Sequence, residues 1–299
     1  MGEASIPVDL MNPGQVLACL GFLEAAEQLL GGAEGVFDWR SPGRERFHLR
    51  ARSDTSPIDE VLRFIDAAEA VALMPAQSKH GNDWTASWGS PPRELRQGTG
   101  YPIPLPRSPA TLVCALVQGN KRLLLDYWGD DRTATGRDNF KLWAGSGGYP
   151  GAALARDALE LIRGNALAKR DDPFAFSAPQ SSSFRLDPRR DYIPLESGFS
   201  VNAHSHMVPM GYPLVELLGA IGLTHARPRR EESKLDYTYA VAGRDESAPD
   251  LWLSPALLRA ALGGAALPFP MRRFRMTLNW PGQENQARSI TAVTEESTR

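Results

Sequence analysis

The chain has two cysteines, five histidines and five lysines in 299 residues, and each scarcity closes off a class of chemistry. Cys19 and Cys114 both lie among apolar residues. They read as reduced core residues of a cytoplasmic protein, with a disulfide between them the less favoured alternative. No Cys-x-x-Cys and no His-Glu-x-x-His occurs, so the strong metal signatures are missing. Neither a Gly-x-x-x-x-Gly-Lys-Ser/Thr phosphate loop nor a Gly-x-Gly-x-x-Gly after a strand is present. No apolar run approaches the ~20 residues of a membrane-spanning helix. The start, Met1 to Ser5, has none of the basic and apolar character of a secretory signal. The expectation is a protein of the cytoplasm with no membrane, metal or cofactor.

What is present is a globular composition, 42% apolar and 23% charged, with net charge −2. The whole molecule is therefore not a basic nucleic-acid binder. The positive charge is unusual in kind, because arginine outnumbers lysine 28 to 5. Arginine forks onto phosphate and stacks on bases. A GC-rich genome inflates Arg, Ala and Gly together and accounts for the total equally well. It does not account for the clustering.

Ile6 to Leu10 reads as a strand, with Asn12 as a helix N-cap and Pro13 at the first helical position. Leu17, Leu20, Leu23, Ala26 and Leu30 recur at helical spacing until Gly31-Gly32. In this helix Gln15 begins the exposed face and Gly21 permits close packing. Strands follow at Val36–Trp39 and around Phe47, Leu49 and Ala51, then a helix from Ser56-Pro57. Residues 75–110 read as a long loop. Strands are expected at 111–117 and 122–127 about a Gly119-Asn120 turn, and a helix at 152–162. Residues 169–194 read as a connector. The second half, 195–299, repeats the pattern. Its helix from Pro213 echoes that from Pro13, and strands are expected at 224–227, 235–241 and 272–280 with a helix in 251–262. The fold class is α+β, with halves 1–168 and 195–299 each of ferredoxin-like order, β-α-β-β-α-β, separate or merged.

Asn202-Ala203-His204-Ser205-His206 is the one cluster with the makings of reaction chemistry, a His-x-His pair able to ligate metal or act as acid and base. No carboxylate stands nearby in a nuclease pattern, and ordinary surface histidines are the favoured reading. Arginines cluster more persuasively: Arg44, Arg46, Arg50 and Arg52; Arg185, Arg189 and Arg190; Arg227, Arg229 and Arg230; Arg272, Arg273 and Arg275. Two of these groups alternate with apolar residues and so share one face of a sheet, where they can track a phosphate backbone. Neighbouring acids such as Glu45, Glu231 and Glu232 make a neutralised, solvated face the alternative. The loop Lys79-His80-Gly81-Asn82-Asp83-Trp84 offers a base-stacking aromatic among polar groups, and Lys121, Arg122 and Lys141 lie near turns.

The segment Ile6 to Glu24, with Asn12-Pro13-Gly14-Gln15 followed by Gly21-Phe22-Leu23-Glu24, resembles the start of a small subunit family of CRISPR type I-U (I-G) systems. Phe184-Arg185-Leu186-Asp187-Pro188-Arg189-Arg190, Gly198 to His204, Tyr212 to Leu223 and Arg227-Pro228 resemble the same family, as does Phe140 to Gly145 more weakly. That resemblance implies a non-catalytic counterpart of the Cascade large subunit. Its implied partners are guide RNA, target DNA, the other Cascade subunits and a helicase-nuclease. The implied work is contacting the guide, reading a short motif beside the target and holding the opened duplex. A guide-RNA-processing endonuclease using His204 and His206, and a scaffold contacting protein alone, are the alternatives. The residues expected to touch nucleic acid are Lys79, His80, Asn82, Trp84, Lys121, Arg122, Lys141, Arg189, Arg190, Asn202, His204, His206, Arg229, Arg230, Arg273 and Arg275.

Overall fold

Proline and glycine set the ends of most elements. The computed structural model describes residues 1–75, 93–95, 113–125, 151–190, 207–233, 235–279 and 288–296. Strand β1 (Gly2–Pro7) precedes helix α1 (Pro13–Leu29), strands β2 (Glu34–Asp38) and β3 (Arg46–Ala51), and helix α2 (Pro57–Ala67). Strands β4 (Glu69–Pro75), β5 (Arg93–Leu95), β6 (Val113–Gln118) and β7 (Lys121–Leu125) follow, then α3 (Gly151–Ile162). After two single 3-10 turns and the short strands β8 (Ala178–Pro179) and β9 (Met210–Gly211) comes α4 (Pro213–His225). The chain ends with β10 (Arg229–Arg230), β11 (Asp236–Arg244), α5 (Pro255–Leu262), β12 (Met271–Asn279) and β13 (Ser289–Glu296). The fold is α+β.

Local chemistry explains the boundaries. Asn12 Oδ1 accepts from Gln15 N (3.2 Å) and Pro13 opens α1, while Ser56 Oγ accepts from Asp59 N (3.1 Å) at α2. Gly119 takes the positive φ, 58°, that the first central position of the β6–β7 turn requires. Several boundaries differ from expectation. The first strand is Gly2–Pro7, not 6–10, because Pro7 has no N–H to continue it and Asp9 turns the chain by accepting from Met11 N. No strand forms at 224–227. Helix α4 runs on to His225, and Thr224 Oγ1 donates to Ala220 O within it. Strands β4, β5 and β13 were not expected at all.

One seven-stranded sheet has the order β1-β3-β2-β11-β12-β13, with β10 also on β11. β1 and β2 both pair antiparallel with β3, the split arrangement that begins a ferredoxin-like unit. β4 does not return to β1, however. It pairs with β5 and β6 in a second sheet, β5-β4-β6-β7. The second half is an antiparallel meander, β11-β12-β13. Ferredoxin-like closure is therefore not seen in either half among the described residues. The parallel contact of β2 with β11 joins the halves into one sheet, and one hydrophobic cluster runs through both.

Helices α1 and α4 form the centre of that cluster. α1 is buried almost all round, as expected of a core helix and not a surface one. The two lie side by side through glycine. A Cβ on Gly21 would stand 2.0 Å from Leu218 O, and one on Gly222 would stand 2.2 Å from Leu17 O. Each glycine thus rests on the carbonyl of the residue four before the other glycine, a local two-fold relation. The same relation matches Gln15 with Glu216. Both N-termini point at the loop 183–190, where a Cβ on Gly14 would meet Leu186 O at 2.6 Å. Gln15 is buried, not the start of an exposed face. Its Oε1 accepts from Asp9 N at 2.8 Å.

Candidate nucleic-acid interface

Strand register places six of the described arginines on one surface. Side chains alternate across a strand, and directly paired residues share a face. Arg46 and Arg244 both pair with Asp38. Two residues before Arg244, Ala242 pairs with Met271; Ala240 then pairs with Arg273 and Thr238 with Arg275, while Arg229 also pairs with Thr238. Arg46, His48, Arg50, Arg244, Arg273, Arg275 and Arg229 therefore lie on one face of the large sheet. The opposite face carries Phe37, Phe47, Leu49, Tyr239 and Phe274 into the core. Trp252 sits on the arginine face, under Arg50 (4.4 Å from guanidinium carbon to ring centroid) and Arg244 (4.6 Å), with His48 edge-on at 6.5 Å.

Much of this charge is neutralised. Arg50 pairs with Glu34 (2.6 Å), Arg40 with Asp38 (2.6 Å), Arg229 with Glu231 (3.0 Å) and Arg275 with Asp236. Exposed pairs of this kind leave little net field. Three arginines bond neutral oxygens instead. Arg46 donates to Ser5 Oγ (3.0 Å) and Ser5 O (2.8 Å), Arg244 to Leu251 O (2.9 Å), and Arg273 to Gly264 O (3.4 Å). Of the four expected contacts on β10 and β12, Arg273 forms no ion pair among the described residues although Glu296 stands opposite it on β13, Arg229 and Arg275 are ion-paired, and Arg230 is exposed at the opposite parity. Sequence reading passed over Arg244 and Trp252, because only the β2–β11 pairing brings them to Arg50.

The other expected residues are dispersed. Lys121 and Arg122 are exposed on the β6–β7 hairpin, in the other sheet. Arg189 is held in the fold: it forks onto Asp187 (2.6 Å), donates to Phe174 O (2.8 Å) and lies 3.7 Å over the Tyr212 ring. Arg190 Nη2 donates to Ser181 O at 3.4 Å. Lys79, His80, Asn82, Trp84, Lys141, Asn202, His204 and His206 lie outside the described residues.

The loop between β2 and β3 shapes the rim of the face. Arg44 N donates to Ser41 O (3.0 Å) and Gly43 has φ 75°. Ser41-Pro42-Gly43-Arg44 thus has the proline and the left-handed glycine that a type II turn needs at its central positions. Arg44 stands between two depressions. One, of about 320 Å³, is lined by Asp38, Arg40, Ser41, Arg44 and Arg46. The other, of about 390 Å³, includes Asp9, Gln15, Arg44, Asp172 and Arg189 in its walls.

Beyond the second depression, segments that carry the sequence resemblance meet. Asn12 Nδ2 donates to Asp187 Oδ1 (3.0 Å), and Glu216 Oε1 accepts from Leu186 N (3.0 Å) and Asp187 N (3.2 Å). The connector expected at 169–194 is thus partly core: Phe184, Leu186 and Asp187 are buried in it. Burial lifts the Glu216 carboxyl to about 7, against the amide of Asp187 and the charge of Arg190, which pull it down. Arg185, at φ 59°, is the sole non-glycine residue with positive φ among the described residues, and burial pulls its guanidinium down to about 10.

No family model, curated protein or solved structure matches this chain. Among the described residues no group of three or more His, Cys, Asp and Glu is placed to hold a metal, and no helix is long and apolar enough to cross a membrane. Cys19 and Cys114 are buried and unbonded to each other, and burial pushes the Cys114 thiol up to about 12.

Proposed function

We propose that this chain is a non-catalytic subunit of a CRISPR guide-RNA surveillance complex, and that it holds guide RNA or target DNA against the outer face of its seven-stranded sheet. The observation that carries the reading is the presence on one face of Arg46 and Arg273, which bond neutral oxygens and so keep their charge for a polyanion, above Arg244, itself buried against Trp252. The assembly itself is read from the sequence resemblance. Support comes from the convergence of the Asn12, Leu186–Asp187 and Glu216 segments, which gives these otherwise scattered motifs a common reason to exist. In this reading base pairing supplies most sequence specificity, and the protein contacts backbone and a short flanking motif. Its partners are the other Cascade subunits and a helicase-nuclease.

The test is reconstitution. The guide-RNA backbone subunits are purified with a guide RNA, with and without this chain, and binding to a matched target duplex is measured. The chain is expected to co-purify with the ribonucleoprotein and to tighten target binding at least tenfold, or about 1.4 kcal/mol. Failure to associate, or association with unchanged target affinity, rejects the reading. Cleavage of repeat RNA by the purified chain rejects the non-catalytic part.

A further inference from the structure

We propose that the depression beside the β2–β3 loop is a phosphate-binding site, with Arg44 and Arg46 as the principal donors. Its walls are Asp38, Arg40, Ser41, Arg44 and Arg46, with no apolar side chain among them. Three guanidinium groups face one carboxylate, and that carboxylate is already committed. Asp38 accepts from Arg40 Nε (3.1 Å to Oδ1) and Nη2 (2.6 Å to Oδ2) and from Arg40 N (3.1 Å). His48 Nε2 stands 3.6 Å from the same carboxylate. Among the lining side chains three arginines stand against one aspartate, while Glu45, beside the turn, accepts from Gly43 N (3.3 Å) and lies 3.6 Å from Arg272.

Arg46 is pre-positioned. Two of its five N–H groups are fixed on Ser5, one through Nε and one through Nη2, and the remaining three are available to a ligand. Arg46 forms no ion pair among the described residues, because Asp38, its partner across the strands, is taken by Arg40. Arg44 is delivered by the type II turn, whose Pro42 and Gly43 fix the backbone that carries it. Ser41 adds a hydroxyl from the same turn. Forked guanidinium donors around a polar hollow match the tetrahedral oxygens of a phosphoryl group. The volume of about 320 Å³ leaves room for a sugar attached to the phosphate. Arg50 and Trp252 continue the same face beyond His48, which favours a strand running across the sheet over a free small anion. The assignment stands on these residues and does not depend on the assembly proposed above.

The full-length chain is titrated with inorganic phosphate, with a nucleoside monophosphate and with a short single-stranded RNA, at constant ionic strength. Binding is followed by calorimetry and by thermal shift. Three variants are compared with wild type: Arg44→Ala, Arg46→Lys and, as a control outside the depression, Arg63→Ala. Phosphate is expected to bind. Arg44→Ala and Arg46→Lys are each expected to weaken it about tenfold, the scale of one charge-assisted hydrogen bond, while Arg63→Ala leaves it unchanged. Competition between phosphate and RNA, both weakened by Arg44→Ala, identifies a nucleic-acid phosphate as the ligand. Binding of phosphate and the monophosphate with no competing RNA supports the site and assigns it to a small phosphorylated molecule. Absence of phosphate binding, or equal binding by wild type, Arg44→Ala and Arg46→Lys, overturns the proposal. Because Arg44 has an exposed side chain on a turn, a thermal shift in the absence of ligand separates misfolding from lost binding.

Discussion

Glu216 is a fully buried carboxyl, far from the water a glutamate ordinarily faces. Its ordinary carboxyl value of 4.5 rises to about 7 on burial. A carboxyl raised by folding favours the folded state while it is protonated. Its contribution is therefore complete below pH 4.5 and is lost as pH climbs towards 7, a loss of about 3 kcal/mol by proton linkage. Glu216→Gln keeps the oxygen that accepts from Leu186 N and Asp187 N but cannot ionise. Urea denaturation at pH 5 and pH 8 should show wild type losing stability over that interval while the variant stays nearly flat. The charged groups facing Glu216 are Asp187, Arg190 and Arg185, with the Ser183 hydroxyl beside them, so a parallel loss in Glu216→Gln would mean that Glu216 is not the titrating group. Asn12 gives a second test. Asn12→Ser retains a cap acceptor but loses the hydrogen bond to Asp187, at a cost of about 1 kcal/mol. Asn12→Asp retains it too, but sets a carboxylate against the Asp187 carboxylate that Asn12 Nδ2 now contacts at 3.0 Å. It should be the less stable of the two by thermal melting above pH 6, and the order should reverse or vanish near pH 3. The capping role of Asn12 was legible in Asn12-Pro13. The burial of Glu216 was not, because its partners lie 29 and 30 residues away and a glutamate in a first helical turn ordinarily faces water.

At the scale of elements, period and punctuation located most helices and strands, and failed where long-range pairing decides. Asn12-Pro13, Ser56-Pro57 and Gly119-Asn120 each marked a boundary because the cap or turn is made by the residues themselves. Strand β4 was hidden because Glu69–Pro75 becomes a strand through its partners β5 and β6, and strand propensity is mostly a matter of context. Pro42-Gly43 is a turn signal of the same local kind. Close packing at Gly21 was legible in the sequence, but that its partner is α4, and that Gly222 reciprocates, needs both helices in view. That contact makes a sharp prediction. In an isolated helix Gly222→Ala gains roughly 1 kcal/mol in propensity. Here the new methyl would stand 2.2 Å from Leu17 O, a backbone atom that moves only if the helices part. Gly222→Ala should therefore destabilise the protein by about 3 kcal/mol, at the upper end of overpacking costs. Gly263→Ala is the control. Its φ is −71° and its nearest neighbour would be 3.6 Å away, so denaturant midpoints should change by less than about 1 kcal/mol in stability.

For the whole molecule the arginine excess divides into structural and available charge, and the division was invisible in the sequence. Arg189 and Arg275 look alike in a string, as members of basic clusters, yet one braces Asp187, Phe174 and Tyr212 while the other pairs with Asp236 on a surface. What separates them is burial and the nearest acid, both products of tertiary pairing. The sheet face thereby gains a testable electrostatic signature. Within the reconstituted complex, removing an internally neutral pair, Arg275→Ala with Asp236→Ala, changes no net charge and should leave target affinity and its salt dependence as they are. Replacing Arg46 and Arg273 with glutamine removes two charges that form no ion pair among the described residues. If each meets a phosphate, the slope of log affinity against log salt should fall by about 2, since each released counterion contributes roughly 0.9. Affinity should fall more at low salt than at high salt. A slope unchanged in the double glutamine variant would mean that this face does not carry the nucleic acid. The exposed hairpin residues Lys121 and Arg122, in the other sheet, would then be the next pair to neutralise and measure in the same way.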